Sequence, residues 1–365
     1  MGDNPFLGVA FHWIGGLAAA SFYLPYKAVR RWSWETYWLV GGVFSWLLAP
    51  SVLAVALVPD VAEILRAAPA IALLWAYVFG VLWGIGGLTF GLSMRYLGIA
   101  LGYAIALGLC TVFGTLMPPI FEGKFGALLR EPSGRFVLLG MVVCLGGFAV
   151  SALAGSRKER ELTADEKAAT SAEFHFARGL AVATLSGVMS ACFAYGLAAG
   201  KPIGALAKAR LLAAGRPDLW QNLPVLIVVL WGGFTTNVVW CLWLNRRNRS
   251  GGEYLALAPA PEGESGSPAS LPANYAWCAL AGVTWYLQFF FYSMGQTKMG
   301  RFDFSSWTLH MASIIIFSTL WGIALHEWRG TSHRTRSLVV GGLLLLIGST
   351  LVVGYGNYLK SLAPG

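Results

Sequence analysis

The chain has 365 residues, of which 56% are hydrophobic and only 12% charged, and its mean hydropathy is +0.62. A soluble domain carries roughly 25% charged residues, so the composition excludes an ordinary water-soluble protein. The formal charge of +9 sits in short loops between apolar runs, where it sets membrane topology and gives no reason to expect nucleic acid as a partner.

Uncharged stretches of about 20 residues, enough to cross a hydrocarbon layer of about 30 Å, recur along the whole chain. They lie near 6–26, 36–58, 69–92, 97–121, 136–154, 179–200, 222–244, 273–297, 305–325 and 337–358. They predict an all-α polytopic membrane protein with ten transmembrane helices. The first stretch lacks a basic leader and is long enough to span, so it reads as a helix rather than a signal peptide. Residues 155–175 form a charged connector between two halves, 1–154 and 176–365. Within the second half, 245–272 runs from a basic cluster into a Pro/Gly/Ser-rich stretch and reads as a mobile loop. Neither segment is long enough to be a soluble catalytic domain. Loops after the odd-numbered helices hold 15 Lys and Arg against 11 on the other side, which leans towards both termini being outside. The five cysteines (Cys110, Cys144, Cys192, Cys241 and Cys278) lie in apolar runs at spacings that suit neither disulfides nor zinc, and read as core residues.

The halves echo each other. G-V-L-W from Gly80 matches G-V-T-W from Gly282, and at the same offset of 202 residues Phe90 aligns with Tyr292 and Gly98 with Gly300. G-L-A-A-A-S-F from Gly16 resembles G-V-M-S-A-C-F from Gly187. Chance similarity between glycine-rich helices is the alternative. Both alignments imply a repeat of five helices, and an odd-numbered repeat must run inverted in its second copy, an arrangement common among secondary transporters.

At membrane depth the strongly polar titratable side chains are His12 and His310. A histidine there is a functional candidate because burying its charge is costly, and its ordinary pKa of about 6.5 suits reversible protonation. The alternative for each is a neutral imidazole hydrogen-bonded between helices. On helix 1, Tyr23 follows His12 by eleven residues on the same face; on helix 9, Asp303, Trp307 and His310 are spaced i, i+4, i+7. On helix 8, Trp285, Gln288 and Tyr292 are spaced i, i+3, i+7 and present an amide between two aromatic rings. Such a face suits a sugar, whose hydroxyls take hydrogen bonds and whose C–H face stacks on a ring; core packing is the bland reading. Asp303 and Glu35, at span edges, are the carboxylates best placed to enter a cavity and titrate. No phosphate-cradling G-x-x-x-x-G-K-[ST], H-E-x-x-H or carboxylate cluster points to ATP, a metal or another cofactor. Gly84 and Gly86 lie inside a span, so their G-x-G reads as helix packing.

H-W-I-G from His12, F-Y-L-P-Y-K from Phe22, R-W-S-W-E-T from Arg31, L-W-G-I-G from Leu82, M-R-Y-L-G from Met94, W-Y-L-Q-F-F-F-Y from Trp285, S-W-T-L-H-M from Ser306 and H-E-W from His326 run through most of the chain in order. In these blocks the chain resembles the L-rhamnose–proton symporter family of the drug/metabolite transporter superfamily. The resemblance implies two inverted five-helix repeats in a bacterial inner membrane and proton-coupled uptake of L-rhamnose or a similar 6-deoxyhexose, not an enzymatic reaction. His12, His310, Asp303 and Glu35 are then the candidates for proton coupling, and Trp285, Gln288, Tyr292, Trp307, Tyr23 and Trp83 for holding the sugar. An exporter or exchanger of another small metabolite is the alternative, and a membrane-embedded transferase a remoter one.

Overall fold

A computed structural model describes residues 4–97, 99–161, 175–256 and 270–362. Gly98, most of the charged connector (162–174) and the middle of the long loop (257–269) lie outside the described residues. Among the described residues, nine helices are long and apolar enough to cross a membrane. In chain order the long helices are α1 (Pro5–Tyr26), α2 (Trp34–Leu57), α3 (Ala70–Leu97), α4 (Ile99–Phe121), α5 (Pro132–Glu161), α6 (Phe176–Ala199), α7 (Leu223–Asn248), α8 (Leu271–Gln296), α9 (Ser306–Ala324) and α10 (His333–Leu362). Helix α8 is the one that falls short of the nine. It has 26 residues and no charged side chain, but Asn274, Tyr275, Gln288 and Gln296 lower its apolarity. Helix α5 is longer than its apolar run predicts: its ladder of hydrogen bonds continues to Glu161, so the first residues of the charged connector are helical.

Helices win in this environment because each backbone N–H finds its partner within its own segment. Two devices bend them. Val43–Leu48 of α2 forms a π-helical turn. Pro50 follows it and has no N–H for the carbonyl four residues back, that of Trp46. Pro118 and Pro119 lie inside α4.

The bundle closes by pairwise contacts, chiefly α5 with α10, α3 with α6 and α7, α4 with α6, and α1 with α8 and α9. Small residues set several of these approaches. A Cβ added at Gly80 would strike the Val229 carbonyl of α7 and come within 3.1 Å of Gly232, whereas at Gly87 it would meet nothing within 4 Å. Gly84 and Gly86 also face neighbouring helices, Thr236 and Ser190 respectively, as packing glycines should. All five cysteines are free and buried.

Gly80→Leu is therefore expected to cost about 1–3 kcal/mol of overpacking and to lower the thermal midpoint of detergent-purified protein. Gly87→Leu on the same helix leaves it unchanged. Equal losses in the two variants would contradict the close α3–α7 approach.

Candidate functional site

Helices α1, α8 and α9 bring the predicted residues together at the centre of the bundle. His12 of α1 and His310 of α9 are both 0% exposed. The Tyr292 ring of α8 lies between them, its centroid 5.3 Å from His12 and 5.2 Å from His310. Trp307 packs edge-on to Tyr292 at 5.7 Å and donates its indole N–H to the Cys110 carbonyl of α4 at 3.0 Å. The two histidines are held by their backbones: the buried Ser313 hydroxyl reaches the carbonyls of His12 (2.9 Å) and His310 (2.8 Å). Gly16 leaves the room that Ser313 occupies. Glycine also sets the wall beside the His12 ring, since a Cβ at Gly295 would lie 2.8 Å from its Nε2.

Among the described residues the imidazole rings themselves have no hydrogen-bond partner: Nδ1 and Nε2 of both histidines are buried and unsatisfied. Neither ring makes a hydrogen bond between helices among the described residues. An unsatisfied buried polar atom costs about 1–3 kcal/mol. Four such atoms border one tyrosine ring.

An aromatic column leads away from the histidines along α8. Tyr292 neighbours Phe193 at 6.1 Å, Phe193 lies against Phe289 at 4.3 Å, and Phe289 against Trp285 at 4.9 Å. Trp285 meets Trp83 at 5.7 Å, so the tryptophans of the two echoing G-V-x-W motifs touch. Gln288 points inward as expected, 6% exposed, and its amide donates to the Trp285 carbonyl at 2.9 Å. Beyond Trp285 lies a small cavity walled by Tyr26, Trp38, Ser45 and Trp46.

Three candidates sit elsewhere. Glu35, 4% exposed in the first turn of α2, accepts hydrogen bonds from Asn248 (2.9 Å), the last residue of α7, and from Ser250 (2.7 Å) just beyond it. Asp303 lies not on α9 but in a short 3-10 segment before it, where Lys201 approaches to 3.4 Å; Lys201 also binds Glu122 at 2.7 Å. Tyr23 is 45% exposed and packs on Phe22 and Tyr26. Phe193, Phe289, Trp46 and Ser313 were missed in the sequence because apolar and small residues of a buried cluster look like any other core residue. Lys201 was legible only as one more loop cation.

Apolar spans whose titratable and aromatic side chains converge on the bundle interior define a multi-pass membrane protein. The chain belongs to the L-rhamnose-proton symport protein family, whose sequence profile it matches over residues 1–358. It is 37% identical over 356 residues to the L-rhamnose-proton symporter of Cronobacter sakazakii, across 96% of this chain and 97% of that protein. The L-rhamnose-proton symporters of Yersinia pestis and Yersinia pseudotuberculosis are each 35% identical over 359 residues, across 98% of this chain and 99% of theirs.

The Glu122–Lys201 pair makes a pH-dependent contribution. Burial pushes the Glu122 carboxyl up, but the hydrogen bonds and charges of Lys124 and Lys201 outweigh it and hold the group below its ordinary value. A carboxyl lowered by folding contributes stability above its unfolded pKa and loses it as pH falls through the folded one. Lys201→Ala is thus expected to cost about 0.2–1 kcal/mol at pH near 7 for so exposed a pair. Thermal unfolding curves of variant and parent should converge once the pH falls below the lowered folded value of the Glu122 carboxyl; a gap that persists there would place the effect outside this carboxyl.

Proposed function

We propose that this protein imports L-rhamnose or a similar 6-deoxyhexose by proton symport across a bacterial inner membrane, through alternating access. The observation that carries the mechanism is the pair of buried, unpartnered histidines flanking Tyr292. A proton on either imidazole in this closed centre would be a buried charge without a partner, which is prohibitively costly. Sugar hydroxyls are the partners that could relieve it. Occlusion then favours two forms, one with neither proton nor sugar and one with both, which is the selection rule of a symporter. Asp303 and Glu35 already have partners in Lys201 and in Asn248 and Ser250, so His12 and His310 carry the proton. Trp285, Gln288, Tyr292, Trp307 and Trp83 line the sugar's path.

The moving parts are two five-helix halves, 1–154 and 176–365, related as inverted repeats, with α8 as the tenth span. The packing supports this division because contacts recur under a shift of five helices: α1 with α8 matches α6 with α3, and α1 with α9 matches α6 with α4. The echoing glycines occupy matching contacts. Gly80 abuts α7 and Gly282 abuts α2 at Gly41; Gly16 abuts α9 and Gly187 abuts α4 at Ala106 and Leu109. An exchanger of another metabolite would use the same fold, but nothing in this centre favours it over symport.

Energy-depleted cells expressing the protein should alkalinise their medium when L-rhamnose is added. His12→Gln and His310→Gln should abolish that signal while at least one keeps sugar counterflow. Uphill accumulation, about tenfold per unit of pH gradient for one proton, should fall to equilibration. If no sugar in a deoxyhexose panel moves protons, symport is wrong; if both variants still couple, the histidines are not the carriers.

A further inference from the structure

The cavity beyond Trp285 has no part in the histidine centre, and its walls have the chemistry of a sugar subsite. Trp46 stands edge-on to Trp285 at 5.2 Å (79°) and to Trp38 at 5.9 Å (68°), so three indoles form adjoining walls of a box. Tyr26 packs against Trp38 at 6.2 Å and closes another side. Trp38 is fixed by its own hydrogen bond, Nε1 to Asn237 Oδ1 at 3.0 Å. Trp46 is not: it is 3% exposed, and its indole N–H has no hydrogen-bond partner among the described residues. The adjacent Ser45 hydroxyl reaches only the Gly42 carbonyl, at a long 3.4 Å. One unsatisfied donor and one weakly engaged hydroxyl thus share an aromatic box, the complement of a pyranose with polar edges and an apolar face.

Both residues belong to the π-helical turn Val43–Leu48. Such turns hold a surplus residue that local rewinding can absorb, and they concentrate at functional sites. The cavity has room for about one water molecule as it stands, so a sugar needs it widened, and this turn is where the wall can yield. Trp285 and Tyr292 are seven residues apart on one helix, about 10 Å along its axis. The cavity and the histidine centre are thus two stations on one sugar path, joined by the aromatic column.

We propose that Trp46 and Ser45, on the π-helical turn of α2, form the recognition subsite for the pyranose ring, with the Trp46 N–H donating to a sugar hydroxyl and the indole faces stacking on its C–H surface. The proposal rests on the protein being a sugar transporter. The test is calorimetric titration of purified full-length protein in lipid nanodiscs with L-rhamnose at fixed pH. Trp46→Phe, which keeps a ring and removes the N–H, should weaken binding roughly tenfold while the pH profile of the remaining binding is unchanged. A second measurement keeps the indole: Ser45→Cys should react with a maleimide several-fold more slowly in saturating L-rhamnose, against the native cysteines of the parent as blank. Wild-type protein that binds neither L-rhamnose nor any other sugar of a 6-deoxyhexose panel overturns the transport reading and this proposal with it. Wild-type binding that Trp46→Phe leaves intact, or labelling of Ser45→Cys that the sugar does not slow, overturns this proposal alone.

Discussion

Inside a hydrocarbon layer a polar group that finds no partner in the protein finds none at all, because no water is there to replace it. That constraint forces the backbone into helices and drives polar side chains to pair inside the bundle or at its ends. The chain obeys it at several central contacts. Thr115 meets Thr308, Asn357 meets Ser305, and Ser186 meets the Gly86 carbonyl, each within 2.9 Å. Against that background the bare rings of His12 and His310 stand out, and so does the bare indole of Trp46. The indole N–H groups of Trp13 and Trp32 and the hydroxyls of Tyr286 and Ser306 are likewise buried without a partner among the described residues.

The closeness of the helices follows from the same solvent. Lipid tails attract apolar side chains as well as another helix does, so association depends on close van der Waals contact and short interhelical hydrogen bonds. Glycine supplies the first at Gly80, Gly282, Gly16 and Gly187, and Ser313 supplies the second by joining α9 to the His12 carbonyl of α1. Polar networks hold both ends of the bundle, Glu35 with Asn248 and Ser250 at one and Glu122 with Lys201 and Asp303 at the other.

The histidines were legible because rarity is itself a signal: a titratable side chain inside an apolar run is costly, so its presence needs a reason. The Trp285–Gln288–Tyr292 face was legible through helical spacing, and the bundle does turn it inward. Asp303 was misplaced on the helix of His310 because spacing assumes an unbroken helix, and the chain instead makes a 3-10 segment ending at Ser305. Glu35 read as an edge carboxylate, but its partners come from the C-terminal end of α7 and the residues just after it, more than two hundred residues away, and no local pattern reports them.

The sequence by itself determined the membrane class, the approximate spans and the shortlist of unusual residues, since all three depend on local composition and the fixed 1.5 Å rise of a helix. Only the tertiary structure decided which of those residues meet. It set Tyr292 between the two histidines, joined Trp83 to Trp285, and gave Asp303 to Lys201. It also turned an inconspicuous Ser45–Trp46 pair into the wall of a cavity. The reason is physical: periodicity tells which face of a helix is special, but the neighbour of that face is chosen by packing between helices far apart in the chain.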